Sequence, residues 1–302
     1  AWSRAAAAVA ADPRFGGYRL GRQHGLVPLG SDPESGRGGA PALQAFVHVG
    51  SGREPRRDGS RLVVGDDTGM VFLLVPPSPR ATEKGVQEPF LLSKWELTRG
   101  QWRRLISPTL PSVYRDGQQM PDGHQITPSY PVDNVSWSLV VPQLRRHGLR
   151  LPTLAQWGHA LGANTQTTFW TGNDVSSLRG AGNLFDQTAK AAGIRGRDMV
   201  DWSDGYAKLA PVGCFAANPF GLHDMVGNLW EWCGDEYPLS GVSKFVLRGP
   251  RPARSAQVVM RGGSWYFGAS LARTRAPSTA QAKEAADPVY GGRPARSLEP
   301  AQ

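Results

Sequence analysis

Residues 218–237 read NPFGLHDMVGNLWEWCGDEY, and hold three glycines, two tryptophans and a cluster of acids within twenty positions. No helical or strand period runs through the stretch. Gly221, Gly227 and Gly234 recur at intervals of six and seven. This predicts a backbone that turns between short extended pieces, since glycine takes positive φ without strain. Trp230 and Trp232 lie two apart, so on a strand they share a face and Glu231 points the other way. The paired indoles read as core. A carboxylate flanked by two large apolar rings needs a partner, either an arginine or a hard cation.

The chain has 302 residues and is 40% hydrophobic, enough to bury a core as one large domain or two small ones. Its 37 glycines and 25 prolines predict a loop-rich architecture of short elements and argue against a helical bundle. The net charge of +9 is uneven, with ten Lys or Arg against three acids from Lys244 onward. A basic end can attract nucleic acid, membrane or acidic ligands, but arginine is abundant throughout and points to composition bias, so nucleic acid is not the expected partner. Cys214 and Cys233 fit no disulfide framework and no zinc spacing, and read as small buried residues. No apolar run is long enough to span a membrane. The opening AWSRAAAAVAADPR lacks the basic-then-apolar order of a signal peptide, so a cytoplasmic location is expected.

In order, Ala1–Arg14 is alanine-rich and predicts a helix ended by Pro13, with Trp2 and alanines on its packed side. Residues 25–65 alternate turn clusters with short apolar pieces such as LQAFVHVG and predict hairpins. Met70–Pro76 reads as a buried strand and Phe90–Leu97 as the next. Thr98 is an N-cap for a helix carrying Trp102 and Leu105. Residues 135–149 predict a helix stopped by Gly148, with Pro142 restricting where its first turn begins. Thr153 and Gln156 form a capping-box pattern before Trp157 and Leu161. Trp102, Trp137 and Trp157 are assigned to the core, and residues 162–210 to loops.

KWELTRGQW (94–102), YPVDNVSW (130–137), LRLPTLAQW (149–157), APVGCFAANPFGLHDMVGNLWEW (210–232) and RGGSW (261–265) resemble, in order and at about the same spacing, the motifs of the formylglycine-generating enzyme family, also called sulfatase-modifying factor domains. The resemblance implies an α+β fold, a variant of the C-type lectin fold that is loop-rich with short strands and few helices. Residues 1–60 are expected to be an N-terminal extension packing on the main domain at 61–302. Residues 25–76 resemble the segment that precedes this domain in large bacterial chains, some carrying a protein kinase further upstream, which implies the C-terminal part of a longer chain.

The resemblance also implies sites. Family calcium ligands map onto Asn183, Leu184, Asp204 and Tyr206, and a second set onto Val226, Gly227, Leu229 and Glu231. The alternatives are side-chain turns at Asn183 and Asp204 and a salt bridge at Glu231. The family's enzymes oxidise a substrate cysteine with a copper ion held by two cysteines after RGGS, where this chain has Phe267 and Ala272. Neither residue can hold Cu(I), which prefers thiolates, so no copper and no catalytic residue are expected. The six histidines occur singly, and His223 reads as structural rather than as a general base.

RGGSW and YGGRPAR (290–296) bound a segment, 261–296, that resembles the variable region of diversity-generating retroelement proteins built on the same fold. Tyr266, Phe267, Ser270, Arg273, Arg275, Ser278, Gln281 and Tyr290 would form its ligand-binding surface. Mixed aromatic, basic and small polar residues on irregular backbone are what paratope-like surfaces use. The expected exposed set is Tyr266, Phe267, Arg273, Arg275 and Tyr290, with Gly262, Gly263, Trp265 and Arg293 structural. A non-catalytic binding protein for a protein or other macromolecular ligand is the leading expectation. A scaffold module of a kinase-linked chain and a metal-dependent oxidase with relocated chemistry are the competing ones.

Overall fold

The computed structural model describes residues 1–36, 40–59, 61–79, 86–237, 257–276 and 279–299, without the Tyr237 side chain. The first helix, α1 (Trp2–Ala11), buries Ala5 and Val9 and stops at Asp12, whose carboxylate caps the turn begun by Pro13. Trp2 stacks on Phe46 at 5.4 Å, which docks α1 onto the first sheet. That sheet comprises β1 (Leu26–Ser31), β2 (Gln44–His48), β5 (Val71–Val75), β6 (Phe90–Ser93) and β11 (Ala295–Arg296), in the spatial order β1-β2-β5-β6-β11. All its pairs are antiparallel. The strands β3 (Arg56–Asp58) and β4 (Arg61–Val63) form a separate hairpin. Every residue of β2, β5 and β6 is buried, β5 as an unbroken apolar run and β2 and β6 with Gln44, His48 and Ser93 buried alongside.

Helix starts follow local chemistry. At α2 (Arg99–Leu105) and α4 (Leu154–Gly162), Thr98 and Thr153 accept from the third-residue N–H, and Gln101 and Gln156 reach back to the cap. Ser136 caps α3 (Trp137–Arg145), which carries Pro142 in its interior and begins two residues later than the sequence pattern suggests. The short α5 (Gln187–Ala191) interrupts the long looped region. Trp102 and Trp157 are buried, while Trp137 packs at the core's edge with its Nε1–H donating to the Cys233 carbonyl at 3.0 Å.

A second sheet holds β7 (Trp230–Tyr237), β8 (Gln257–Arg261), β9 (Thr279–Ala282) and β10 (Tyr290–Gly291), in the order β10-β7-β8-β9. β10 pairs parallel to β7 and the other pairs are antiparallel. Gly221 and Gly227 take positive φ as expected, whereas Gly234 lies within β7, where the register shifts between Trp232 and Glu236.

The chain crosses from β10 to β11, and so from one sheet to the other, through Gly292, Arg293 and Pro294. Arg293 is 0% exposed. Its Nε and Nη2 donate to the Glu231 carboxylate at 2.8–3.2 Å, Nη1 to the Ser93 and Lys94 carbonyls at 3.0 Å, and Nη2 to the His223 carbonyl at 2.7 Å. Beside it, the buried Lys94 ammonium lies 2.6 Å from Asp32 and 3.0 Å from Glu34, and donates to the Gly221 carbonyl. Asp32 and Glu34 belong to the segment following β1. The N-terminal segment therefore contributes β1, β2 and two buried carboxylates to the first sheet and its charge network.

Two outcomes follow from these charges. Arg293→Ala leaves the buried Glu231 carboxylate without its counter-charge, and urea denaturation is expected to show a loss of about 3–5 kcal/mol; the double variant Arg293→Met/Glu231→Leu is expected to recover part of it. Burial alone would raise the Glu34 carboxyl, but the His223 hydrogen bond and charge, with Lys94, outweigh it and hold the pKa at about 2. The folded pKa is below the unfolded value of 4.5, so this stabilisation is complete above pH 4.5 and is lost as pH falls toward 2. Glu34→Gln is expected to flatten the stability profile across that window, and an unaltered slope would exclude the linkage.

Candidate functional site

Arg261 closes β8 and lies with its guanidinium 5.2 Å from the Trp157 ring centroid. It donates to the Ala276 and Thr274 carbonyls, folding residues 262–276 back on themselves. Trp265 N–H donates to the Asn228 carbonyl, and Phe185 N–H to the Phe267 carbonyl. The RGGSW stretch is thus held against the 218–237 motif and against the looped region.

The structure separates the expected surface residues. Ser270, Arg273 and Arg275 are exposed, and Tyr266 and Gln281 are half-buried. Phe267 and Tyr290 are only 5% and 6% exposed, which corrects the expectation of accessible rings. Phe267 meets Trp230 edge-on at 5.9 Å and Tyr290 meets Trp232 likewise at 5.5 Å, so each ring completes the packing around a β7 indole. Gly262, Gly263, Trp265 and Arg293 are buried as expected. Ser278 lies outside the described residues. At the positions where the family's copper ligands stand, Phe267 and Ala272 are both buried and apolar. Cys233 is buried in β7, but Cys214 is exposed, contrary to expectation.

The first candidate cation site is assembled by the fold. Gly227 allows the 226–228 turn to approach residue 183 closely, since a Cβ there would stand 1.9 Å from the Asn183 carbonyl oxygen. Asp204 accepts the Leu184 N–H at 3.0 Å and the Tyr206 N–H at 2.9 Å, which brings all four residues together. Asn183 Oδ1 is buried and has no hydrogen-bond partner. Burial, with some contribution from Asp186, pushes the Asp204 carboxyl up to about 7. An orphaned amide oxygen beside a carboxylate deprived of water fits an oxygen-liganded cation, which Asn183, Asp204 and the Leu184 and Tyr206 carbonyls would hold. Among the described residues no cluster of three or more His, Cys, Asp or Glu offers a metal site, so this one draws on amide and carbonyl oxygens.

The second candidate site does not fit. Both Glu231 oxygens are taken, by Arg293 and by Trp157 Nε1–H at 2.7 Å. The carboxylate at the 228–229 backbone is instead Glu96, which accepts Asn228 Nδ2–H at 2.6 Å and Leu229 N–H at 3.1 Å. Burial, then the nearby Asp224 and Glu231 carboxylates, push Glu96 well above the usual carboxylate range. Sequence reading passed over Glu96, although its place in KWELT beside the buried Trp95 carried a signal. His223 is structural, with Nδ1–H donating to the Phe215 carbonyl at 2.7 Å and Nε2 lying 3.1 Å from Glu34.

A variant C-type lectin fold, carrying the five ordered motifs but no cysteine at either copper position, defines a sulfatase-modifying factor domain. The chain belongs to the sulfatase-modifying factor enzyme 1-like family, whose model matches residues 48–298. It is 33% identical over 166 residues to a formylglycine-generating enzyme of Thermomonospora curvata, a match covering 52% of each chain. It is 34% identical over 123 residues to an inactive Cα-formylglycine-generating enzyme 2 of Bos taurus, covering 40% of this chain and 38% of that one. The chain spans about half or less of the length of these relatives. In structure it is similar to Treponema denticola variable protein 1, with a TM-score of 0.55 at 17% identity, covering 86% of this chain and 96% of that one. That likeness bears on the fold alone.

Calcium is expected to raise the melting temperature by a few degrees by binding the native state alone, and Asn183→Leu to abolish the increment. A melting curve unchanged between exhaustive chelation and millimolar calcium would remove the site.

Proposed function

We propose that the protein is a non-catalytic ligand-binding member of its family that displays a variable surface within residues 261–296 on a lectin-type scaffold. The observation carrying this reading is the pair Phe267 and Ala272. Where the family's chemistry needs two thiolates, this chain buries an aromatic ring and a methyl group. Calcium at Asn183 and Asp204 would brace the loops, and no copper is required. The accessible part of the surface is carried by Ser270, Arg273 and Arg275, with Tyr266 and Gln281 at its margin. Forked arginine donors beside small polar groups suit a protein or other macromolecular ligand. Among the described residues, no helix is long and apolar enough to cross a membrane.

The purified chain, supplied with Cu(I), oxygen and a cysteine-containing sulfatase peptide, is expected to yield no formylglycine; turnover would refute the non-catalytic reading. Arg273→Ala and Arg275→Ala are expected to change stability by less than about 0.5 kcal/mol, whereas Phe267→Ala should cost about 3–5 kcal/mol. Peptides selected from a displayed random library against the wild-type chain should lose binding to the double arginine variant. Selection yielding only peptides indifferent to that change would discard the surface.

A further inference from the structure

Beside Tyr266, but outside the 261–296 segment, the stretch following α5 leaves Met199 42% exposed. Phe185, Ile194 and Met199, with Lys190, Gly193 and Arg195, line an open cleft of about 490 Å³. Apolar side chains gathered at a concave surface retain unfavourable contact with water, and such patches mark binding sites more often than chance exposure does.

The backbone holds this stretch in place and does not let it fold inward over its apolar residues. Arg197 N–H donates to the Tyr266 carbonyl at 3.0 Å, and Gly268 N–H to the Arg197 carbonyl at 2.9 Å. Tyr266 Oη–H donates to the Arg195 carbonyl at 2.6 Å, and Ser270 N–H to Asp198 Oδ2 at 2.7 Å. Asp198 takes a left-handed φ of 58°. A Cβ at position 268 would stand 1.4 Å from the Asp198 carbonyl oxygen, so only glycine permits the two strands of chain to meet. The cleft is therefore built before any ligand arrives, which lowers the ordering cost of binding.

Its rim is cationic. Lys190 and Arg195 are exposed, and neither has an ion-pair partner among the described residues. Two acids of this region are engaged in backbone hydrogen bonds. The Asp198 carboxylate accepts from Ser270, and buried Asp186 accepts the Ala189 N–H at the start of α5.

We infer that this cleft docks an acidic peptide segment bearing one bulky apolar side chain. The apolar side chain meets Phe185, Ile194 and Met199, and carboxylates to either side face Lys190 and Arg195. The inference rests on the reading of the chain as a binding protein, and gives that reading a second surface with a stated ligand chemistry. A nucleic acid would satisfy the charge but has no aliphatic side chain for the floor. A bilayer presents a broad surface that a concave cleft does not meet. Small molecules favour sites that enclose most of their surface, which an open cleft does not.

The test uses the full chain and a fluorescein-labelled octapeptide of Glu and Asp around one central Leu, read by anisotropy. Saturable binding is expected, weakening about tenfold or more when the Leu is replaced by Ser, or when the acids are replaced by Lys. Met199→Asp and the pair Lys190→Glu/Arg195→Glu should weaken it similarly while keeping the wild-type melting curve. Methyl shifts on titration should be largest at Ile194 and Met199. Equal binding of the Ser or Lys peptide overturns the inference, as does equal binding of oligothymidylate or phosphatidylserine vesicles. The Arg273→Ala/Arg275→Ala variant should bind the octapeptide as wild type does, and a loss there places binding on the other surface and removes it from the cleft. Formylglycine formation, in contrast, would end the non-catalytic reading and leave the cleft measurement standing.

Discussion

The pairing of Arg293 with Glu231 sits where the chain passes between its two sheets, and the surrounding structure is arranged to make it possible. One guanidinium satisfies a carboxylate from β7 and three carbonyls from the end of β6 and the 218–237 motif. The Lys94 carbonyl also accepts the His223 N–H, so the guanidinium joins a crossing that backbone hydrogen bonds already tie together. Replacing a buried ion pair by apolar side chains is often neutral or stabilising. The contribution of this pair is therefore one of geometry, since five donors in a rigid fork admit only one mutual placement of the two sheets. The neighbouring Lys94, Asp32 and Glu34 extend the same network into the N-terminal segment.

This placement explains why the recurrent motifs persist in a chain without the copper thiolates. KWELT supplies Lys94 and Glu96, LAQW supplies the Trp157 indole that donates to Glu231, and GGR supplies Arg293 itself. The motifs mark the junction between the sheets, which the fold needs whatever the chain does. A fold kept by such a junction does not by itself fix what the chain does.

What could be read in the sequence followed from the range of the interaction responsible. The caps at Thr98 and Thr153 are settled within three residues, and both were legible, whereas the Ser136 cap was hidden by a pattern that starts the helix at Val135, ahead of the cap. Strand β5 announced itself as an unbroken apolar run, while β6 ends at Ser93, short of the Leu97 that the sequence suggests. Glu231 was legible only as needing a partner, because the arginine that answers it is 62 residues away. The parallel pairing of β10 with β7 and the bridge between Arg197 and Phe267 have no local signal at all. Phe267 and Tyr290 were misread for a related reason. An aromatic residue on irregular backbone has no period to show which way it faces, and its burial is decided by the indoles it meets.

The same contrast sets limits on how the C-terminal segment can vary. Phe267 and Tyr290 each fill the space beside a β7 tryptophan, so a change of volume there is felt through a close-packed core. Ser270, Arg273 and Arg275 are exposed, and Arg261 closes the loop beneath them through backbone carbonyls that any side chain would supply. Gly268 is fixed for another reason, since its close approach to the Asp198 carbonyl holds the stretch that carries Arg195 and Met199. Variation at 267 or 290 would consequently act on stability before it acted on binding, and variation at 268 would act on the cleft. At 270, 273 and 275 it would leave the packing around the β7 indoles untouched.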